Sequence, residues 1–265
     1  MTTARDLIRA LKSRSTQALT RLILGRHPNN SICSFNFHNV RHIIKFISDV
    51  QNQIDSNMCL VDIGAGASPY YYLFFRKVAE YIAVDLEGGL PLCESRDIRQ
   101  VVGSAERIPL GDSIAHVVLS NQVLEHVDDP DKAVREAYRL LKPCGKFIGS
   151  VPHVSPVHLE PCDYRRYTDY GIEQLLKSNG FSNIKISLSG GVYSASALMI
   201  AMDWMLTSRD DSKPQGFSLY RALLFAPIVG IMNLFGLVMD KLFASKKSRS
   251  FANLCWIAEK PLVAL

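Results

Sequence analysis

A glycine-punctuated turn after an apolar run is the feature that most constrains this chain. Residues 61–69 read Val-Asp-Ile-Gly-Ala-Gly-Ala-Ser-Pro, and a second apolar run, residues 81–84, ends in Asp85. In a parallel α/β sheet a buried strand ends at the carboxyl edge, where Gly64 and Gly66 let a ligand lie against the backbone. An ionised carboxylate at the end of the next strand offers two acceptor oxygens to ribose hydroxyls. The pairing therefore predicts a nucleotide site.

The same turn argues against a dinucleotide. A dehydrogenase that holds NAD or FAD needs a third small residue where the helix packs on the strand, and Pro69 stands there instead. Without a pyrophosphate to seat on a helix N-terminus, a nucleoside such as S-adenosylmethionine is favoured. A dehydrogenase remains the alternative from these residues alone.

Later segments follow one another in the order of a known family. Residues 101–127 and 130–148 continue the pattern, and from about Cys59 to about Leu188 the chain resembles class I S-adenosylmethionine-dependent methyltransferases of the type 11 kind. The resemblance implies an α/β fold with a Rossmann-like, doubly wound, seven-stranded sheet whose last strand is antiparallel. It implies S-adenosylmethionine as the cofactor and says nothing specific about the methyl acceptor.

The resemblance also implies which residues bind the cofactor, from its methionine part through the ribose and adenine to its open side. They are Asp62, Gly64, Ala65, Gly66, Asp85, Leu86, Ser104, Ala105, Asn121 and Gln122. Ser104 stands where the family commonly has an acidic residue for the adenine amino group, so this contact is expected to be weaker or re-routed.

A loop after the strand at residues 147–151 carries a second, narrower resemblance. It is similar to the His-x-x-Pro-x-Asp-Tyr-x-Arg-Tyr-Thr loop of bacterial methyltransferases that often accompany cell-surface glycan and lipid synthesis. The matching residues are His158, Pro161, Asp163, Tyr164, Arg166, Tyr167 and Thr168. Because the loop leaves the carboxyl end of a central strand, its polar side chains are expected to overhang the transferred methyl group.

Transfer to a hydroxyl leaves a proton to remove, so we expect a base in this loop. His158 is the first choice, Asp163 would orient it, and Arg166 would hold an anionic or carbonyl part of the acceptor. The candidate catalytic residues are His158, Asp163, Arg166, Tyr167 and His126. The structural alternatives are an Asp163–Arg166 pair that only pins the loop and a His126 that is simply a satisfied loop histidine.

A helix is predicted directly after this loop. Thr168 is best placed to cap a helix over residues 169–178, which Gly180 closes.

Charge and cysteine content narrow the function classes. The net charge of the chain is +5; residues 1–30 hold six basic residues and one acidic residue, and residues 241–249 hold four more basic residues, so the rest of the chain is mildly acidic. A nucleic-acid methyltransferase would need a basic stripe beside its cleft, so nucleic acid is not an expected partner. The six cysteines form no close CxxC pair. This spacing predicts no metal and fits a reduced, cytosolic setting.

Residues before the core are predicted to be helical. In residues 1–30 apolar residues recur at three- and four-residue steps between arginines, the pattern of a basic amphipathic helix suited to an anionic membrane surface. The alternatives are a helix packed on the catalytic domain and an organellar transit peptide; a secretory signal is not expected. A second helix is predicted over residues 36–54, with His38 on its polar face.

An apolar insertion precedes the last predicted strand. Residues 222–239 are 18 residues without a charge, about the lower limit for crossing a bilayer. A single crossing is disfavoured because residues 251–261 look like the final antiparallel strand, so the chain must return. We expect a re-entrant or surface-lying helical hairpin, bent near Pro227 and Gly230, with residues 241–249 at lipid headgroups. The alternative is a segment that covers the catalytic domain or a homodimer partner.

The sequence thus predicts four segments: N-terminal basic and amphipathic helices at 1–57, the cofactor-binding core at 58–190, the apolar insertion at 191–250, and the final strand with the C-terminus at 251–265. The expected reaction is methyl transfer from S-adenosylmethionine to a hydroxyl of a lipid-linked or glycan acceptor. The expected location is cytoplasmic, peripheral or monotopic on a membrane. A quinone- or isoprenoid-type methyltransferase and a tethered cofactor-binding protein without turnover are the alternatives.

Overall fold

The computed structural model describes residues 31–90, 97–206, 219–243 and 249–262. Within these ranges it has six helices and seven strands. In chain order they are α1 (Phe37–Gln51), β1 (Cys59–Ile63), α2 (Tyr71–Phe74), β2 (Glu80–Asp85), β3 (Ile98–Val102), β4 (Ala115–Asn121), α3 (Pro130–Leu140), β5 (Leu141–Pro152), α4 (Asp169–Ser178), β6 (Ser182–Ser189), α5 (Val192–Met205), α6 (Leu219–Phe243) and β7 (Asn253–Glu259). The helix predicted within residues 1–30 lies outside the described residues.

The seven strands form one sheet in the order β3-β2-β1-β4-β5-β7-β6. Strands β1 to β5 pair in parallel, whereas β7 lies between β5 and β6 and is antiparallel to both. The strand order reverses between β1 and β4, and in open α/β sheets ligands bind at the carboxyl ends of the strands beside such a reversal. The predicted doubly wound sheet with an antiparallel last strand is confirmed.

The chain divides into two compact units. Among the described residues, the larger unit comprises 42–90, 97–154, 159–189 and 251–262 and contains the whole sheet. The smaller unit comprises the described residues of 31–41, 155–158 and 190–250 and contains α5 and α6. Helix α1 begins in the smaller unit and continues in the larger one.

Apolar side chains cover both faces of the sheet in the larger unit. One core includes the inward sides of α3 and α4, with Val134 and Ile172 completely buried. The other includes α1 and α2, with Ile47 and Phe74 completely buried. Helices on both faces leave the edges at the strand ends as the places where loops can form a site.

The predicted start and end of α4 are confirmed. The Thr168 hydroxyl accepts a hydrogen bond from the Gly171 N–H at 3.0 Å, which satisfies one of the amides that have no partner inside the helix. Gly180, at φ +85°, follows the last turn in the left-handed conformation that glycine adopts without strain. Local chemistry therefore sets both ends of this helix.

Two expectations about the smaller unit are wrong. Helix α6 runs without interruption from Leu219 to Phe243 through Pro227 and Gly230, so the hairpin is formed by α5 and α6 and not by a bend within α6. His38 is completely buried, not on a polar face, and a Cβ placed on Gly236 would lie 3.2 Å from its Nε2 atom. Tertiary packing on α6 covers a position that the periodicity of α1 leaves outside.

Helix α6 also passes a length and composition test for crossing a membrane. Among the described residues it is the one helix to do so, over Leu224–Phe243 with a mean hydropathy of 1.5. A buried helix of a soluble protein can pass the same test. Whether such a helix contacts lipid or protein must therefore be judged from which of its side chains are exposed.

Gly149 sets the spacing between β4, β5 and β7. A Cβ at this position would lie 2.3 Å from the Ser120 carbonyl oxygen and 2.3 Å from the Trp256 ring. We expect Gly149→Ala to lower the free energy of unfolding by about 3 kcal/mol, because a backbone carbonyl in a sheet cannot move aside. In Gly111→Ala the nearest atom is 3.7 Å away, so this control should change stability by less than about 0.5 kcal/mol. Urea unfolding measures both, and equal values would contradict this account.

Candidate active site

The carboxylate of Asp85 is held in a fixed orientation at the carboxyl edge of the sheet. Its Oδ2 atom accepts a hydrogen bond from the Gly66 N–H at 2.7 Å, and its Oδ1 atom accepts one from the Leu86 N–H at 2.7 Å. A carboxylate oxygen can accept more than one hydrogen bond, so both oxygens keep capacity for a ligand hydroxyl. The turn after β1 and the end of β2 thus hold two acceptor oxygens in a fixed orientation at this edge.

The two glycines of the turn have different roles. Both have positive φ, +69° at Gly64 and +50° at Gly66. A Cβ on Gly64 would lie 2.4 Å from a methyl carbon of Val123, so this glycine makes room for the loop after β4. A Cβ on Gly66 would meet no atom within 4 Å. Gly66 therefore faces the open space in which a ligand can approach the backbone.

Asp62 lies beneath the turn and is only 3% exposed. Its Oδ2 atom accepts a hydrogen bond from the Tyr81 hydroxyl at 2.5 Å. Burial raises the pKa of Asp62 to about 7, against the opposing effect of the Tyr81 hydrogen bond, and the charge of Asp85 raises it further. This carboxyl group links β1 to β2 through Tyr81 and presents little surface to a ligand.

The predicted adenine side has polar groups that are already engaged and apolar groups that are exposed. The Ser104 hydroxyl accepts a hydrogen bond from the Glu106 N–H at 3.2 Å, and Ala105 packs against the core. Leu86 is 60% exposed, and Val102, the register partner of Asp85, is 58% exposed. The flat adenine base could pack on this apolar surface, next to the Asp85 carboxylate that can accept hydrogen bonds from the ribose hydroxyls.

Asn121 and Gln122 meet on the hydroxyl of Ser150. That hydroxyl donates to Asn121 Oδ1 at 3.1 Å and accepts from Gln122 Nε2 at 3.2 Å. The Asn121 Nδ2 atom is buried and has no hydrogen-bond partner among the described residues. A buried amide without an acceptor costs free energy, which a ligand acceptor would recover.

Hydrogen bonds tie the loop at residues 159–168 to the segment at 124–128. The Tyr167 hydroxyl donates to the Leu124 carbonyl at 2.9 Å, and the Arg165 guanidinium donates to the Val127 carbonyl at 2.5 Å. Asp163 accepts two hydrogen bonds from Arg166, at 2.6 and 2.7 Å. The Asp163 carboxylate therefore orients Arg166, whose side chain is 25% exposed and can still reach a ligand.

The two candidate histidines each direct one ring nitrogen at a backbone carbonyl. In the larger unit, His126 Nδ1 lies 2.6 Å from the Cys162 oxygen. In the smaller unit, His158 Nδ1 lies 3.0 Å from the Pro156 oxygen. Because a carbonyl oxygen only accepts, Nδ1 carries the hydrogen in each neutral ring and Nε2 is the basic nitrogen. Both rings thus have the tautomer that a proton acceptor at Nε2 requires.

Glu125 is a buried carboxyl group that the sequence patterns did not single out. It is completely buried, and neither oxygen has a hydrogen-bond partner among the described residues. Its Oε1 atom lies 3.8 Å from His126 Nε2. Burial raises the pKa of Glu125 to about 8 and outweighs the nearby Arg166, whose guanidinium already binds Asp163. The one feature of the sequence that could have identified Glu125 is its place as a carboxylate within the apolar stretch that ends at Val127.

The raised pKa of Glu125 makes stability depend on pH. The folded protein keeps this proton up to about pH 8, whereas the unfolded chain releases it near 4.5, so the stabilising contribution is present at low pH and is lost as pH rises. We expect Glu125→Gln to lose less stability than the parent between about pH 5 and about pH 8, by up to about 1.4 kcal/mol per pH unit. Urea unfolding at several pH values measures the two slopes.

Glu87→Gln, at an exposed position, is the matched control and should keep the slope of the parent. If the Glu125→Gln slope also equals that of the parent, Glu125 is ionised at neutral pH and the assignment is wrong.

Comparison with known proteins agrees with this geometry. Residues 61–149 match a family described as "Methyltransferase domain". The malonyl-[acyl-carrier protein] O-methyltransferase of Methylococcus capsulatus is 28% identical over 161 residues, which cover 53% of this chain and 58% of that protein. A ubiquinone/menaquinone biosynthesis C-methyltransferase of Caulobacter sp. strain K31 is 41% identical over 71 residues, 26% of each chain. The chain therefore spans less than two thirds of the length of these curated relatives.

A solved structure shows the same fold. Phosphoethanolamine N-methyltransferase 2 of Haemonchus contortus, in complex with S-adenosyl-L-methionine, superposes with a TM-score of 0.59 at 17% identity, over 91% of this chain and 60% of that one. The likeness at this identity concerns the fold alone, whereas the family match covers the turn, the β2 carboxylate and the loop after β4. This chain accordingly carries a class I methyltransferase domain whose cofactor is S-adenosylmethionine.

Proposed function

We propose that the protein transfers the methyl group of S-adenosylmethionine to a hydroxyl of an amphipathic, lipid-linked or glycan acceptor at a membrane surface. The observation that carries the cofactor part is the Asp85 carboxylate, which two backbone N–H groups fix beside the open space at Gly66. The buried Asn121 Nδ2 atom without a protein acceptor and the exposed Leu86 also fit this cofactor. When bound, S-adenosylmethionine supplies an electrophilic methyl group on a sulfonium sulfur.

Orientation is the main task of the chain's residues in this reaction. Displacement at a methyl carbon is in line, so correct placement of the two partners supplies much of the rate enhancement. Asp85 would hold the ribose hydroxyls, and Asn121 would donate through Nδ2 to an acceptor atom of the ligand. Arg166, held by the two hydrogen bonds that it donates to Asp163, would bind an anionic or carbonyl group of the methyl acceptor.

A hydroxyl acceptor also loses a proton when it is methylated, and a neutral histidine would receive it at Nε2. His158 is the first candidate and His126 the second, because both have the hydrogen on Nδ1. Beside His126, the carbonyl oxygen of the buried Glu125 carboxyl would accept a hydrogen bond from the Nε2–H of the imidazolium that forms. The proton then leaves to solvent when the products are released.

The amphipathic nature of the acceptor is inferred from exposed apolar side chains. Helix α6 exposes several large apolar residues, among them Ile231 at 69% and Leu242 at 65%. A quinone- or isoprenoid-type ring is the second candidate acceptor, favoured by the relative from Caulobacter that is named as a ubiquinone/menaquinone biosynthesis C-methyltransferase. Carbon methylation of an ionised ring and oxygen methylation give products that differ in mass fragmentation.

Transfer of label from methyl-tritiated S-adenosylmethionine to a total lipid and glycan extract tests the proposal. We expect a labelled, solvent-extractable methyl ether, and a fall in kcat/KM of about 10²- to 10⁴-fold for His158→Ala with cofactor affinity unchanged. His116→Gln is the control, since His116 bonds the Cys59 N–H near the amino end of β4, away from the carboxyl edge.

Each outcome of this experiment is decisive. Cofactor binding without label in any fraction would identify a binding protein without turnover and contradict the proposal. Parent rates in both His158→Ala and His126→Ala would show that neither of these histidines accepts the proton.

A further inference from the structure

Helix α6 is fixed in the smaller unit by a carboxylate that caps its neighbour. Asp240 accepts hydrogen bonds from the backbone N–H groups of Gly191, Tyr193 and Ser194, at 2.8, 3.1 and 3.2 Å. These amides begin α5, whose own N-cap residue, Gly191, has no side chain to satisfy them. Asp240 therefore faces α5 and sets the rotation of α6 about its axis.

A second polar residue turns the same side of α6 inward. Asn233 is completely buried, and its Nδ2 atom donates to the carbonyl oxygens of Ile32 at 2.6 Å and Ser34 at 2.9 Å. A Cβ on the neighbouring Gly236 would lie 3.3 Å from the backbone of α5. Polar bonds and close backbone packing thus occupy one side of the helix.

The opposite side of α6 is apolar and exposed. Six residues recur at alternating four- and three-residue steps, and we call them the outer stripe: Leu224, Ile228, Ile231, Phe235, Val238 and Leu242. Their exposed fractions are 46–69%. The stripe extends about 27 Å along the helix, and Leu234 and Pro227, which flank it, widen the exposed face to about 120°.

We propose that the outer stripe is a docking surface for an anionic membrane, with α6 lying in the interfacial layer. This inference deepens the proposed function, on which it rests, because it names the surface where the acceptor would be met. An apolar face of this size on a soluble protein marks an interaction site, since such patches are seldom left in water.

The charges around the stripe favour anionic lipid as the occupant. The only acidic residue of α6 is Asp240, which faces α5. Exposed basic residues stand near both ends of the helix, Arg221 before the stripe and Lys241 and Arg249 after it. Cations beside an inserted apolar face are attracted by the negative potential of anionic headgroups.

The shape of the face argues against a second copy of the chain and against a membrane crossing. A paired-helix seam is narrower than about 120°, and exposed Pro227 would interrupt its packing. A helix that crosses a bilayer alone is surrounded by lipid, whereas α6 can give lipid one side only, because Asn233 and Asp240 bind protein on the other. A helix that offers lipid only one apolar side lies in the plane of the interface.

Vesicle co-sedimentation of the full-length protein tests this inference. We expect tighter binding to phosphatidylcholine vesicles that contain phosphatidylglycerol than to phosphatidylcholine alone. The double variant Ile231→Ser/Phe235→Ser should bind the anionic vesicles at least about tenfold more weakly, because two large side chains no longer enter the apolar layer. The matched control is Tyr72→Ser/Tyr170→Ser, which removes two exposed rings, 44% and 78% exposed, from the larger unit and should bind like the parent.

Two further measurements make the outcome unambiguous. Titration with S-adenosylmethionine should give parent affinity for both double variants, so a failure of the docking surface is distinguishable from a failure of the methyltransferase site. Equal vesicle binding by Ile231→Ser/Phe235→Ser and the parent would overturn the inference. A vesicle-free dimer of the parent that this variant dissociates, seen by analytical ultracentrifugation, would also overturn it and assign the stripe to a second copy.

Discussion

Two hydrogen bonds, from the backbone amides of Gly66 and Leu86, hold the Asp85 carboxylate in place. The rest of the site depends on this constraint. It requires β1 and β2 side by side in parallel, a turn that can take positive φ at Gly66, and a strand that ends in an acidic residue. The sheet provides the first condition and the glycine the second. The result is an acceptor pair that is oriented before any ligand arrives, so binding costs little reorganisation.

Local signals predicted what local chemistry determines. The resemblance to class I methyltransferases implied a doubly wound sheet with the last strand antiparallel, and Thr168 with Gly180 predicted both ends of α4. Burial was different, because it depends on what packs from elsewhere in the chain. His38 is buried although its helix periodicity placed it outside, and Glu125 is buried although its side chain ends in a carboxyl group. The site residues Gly64 and Gly66 looked equivalent in the sequence, yet Val123 fills the space at Gly64 and leaves only Gly66 open.

The chemistry and the location of the proposed reaction depend on polar groups that point inward. The Glu125 and Asp163 side chains are buried near one guanidinium, which Asp163 binds, and burial raises the pKa of Glu125 to about 8. In the smaller unit Asp240 and Asn233 fix which side of α6 remains apolar and exposed. In both units a few buried polar contacts determine what the surrounding surface can bind.

Titration calorimetry with S-adenosylmethionine tests the central claim most directly. The account predicts at least about tenfold weaker binding for Asp85→Asn, which removes a charged acceptor, and no measurable binding for Gly66→Arg, which fills the open space. Both variants should still unfold cooperatively, and Asp55→Asn, at an exposed loop position, should bind like the parent. Parent affinity in both Asp85→Asn and Gly66→Arg would contradict the account.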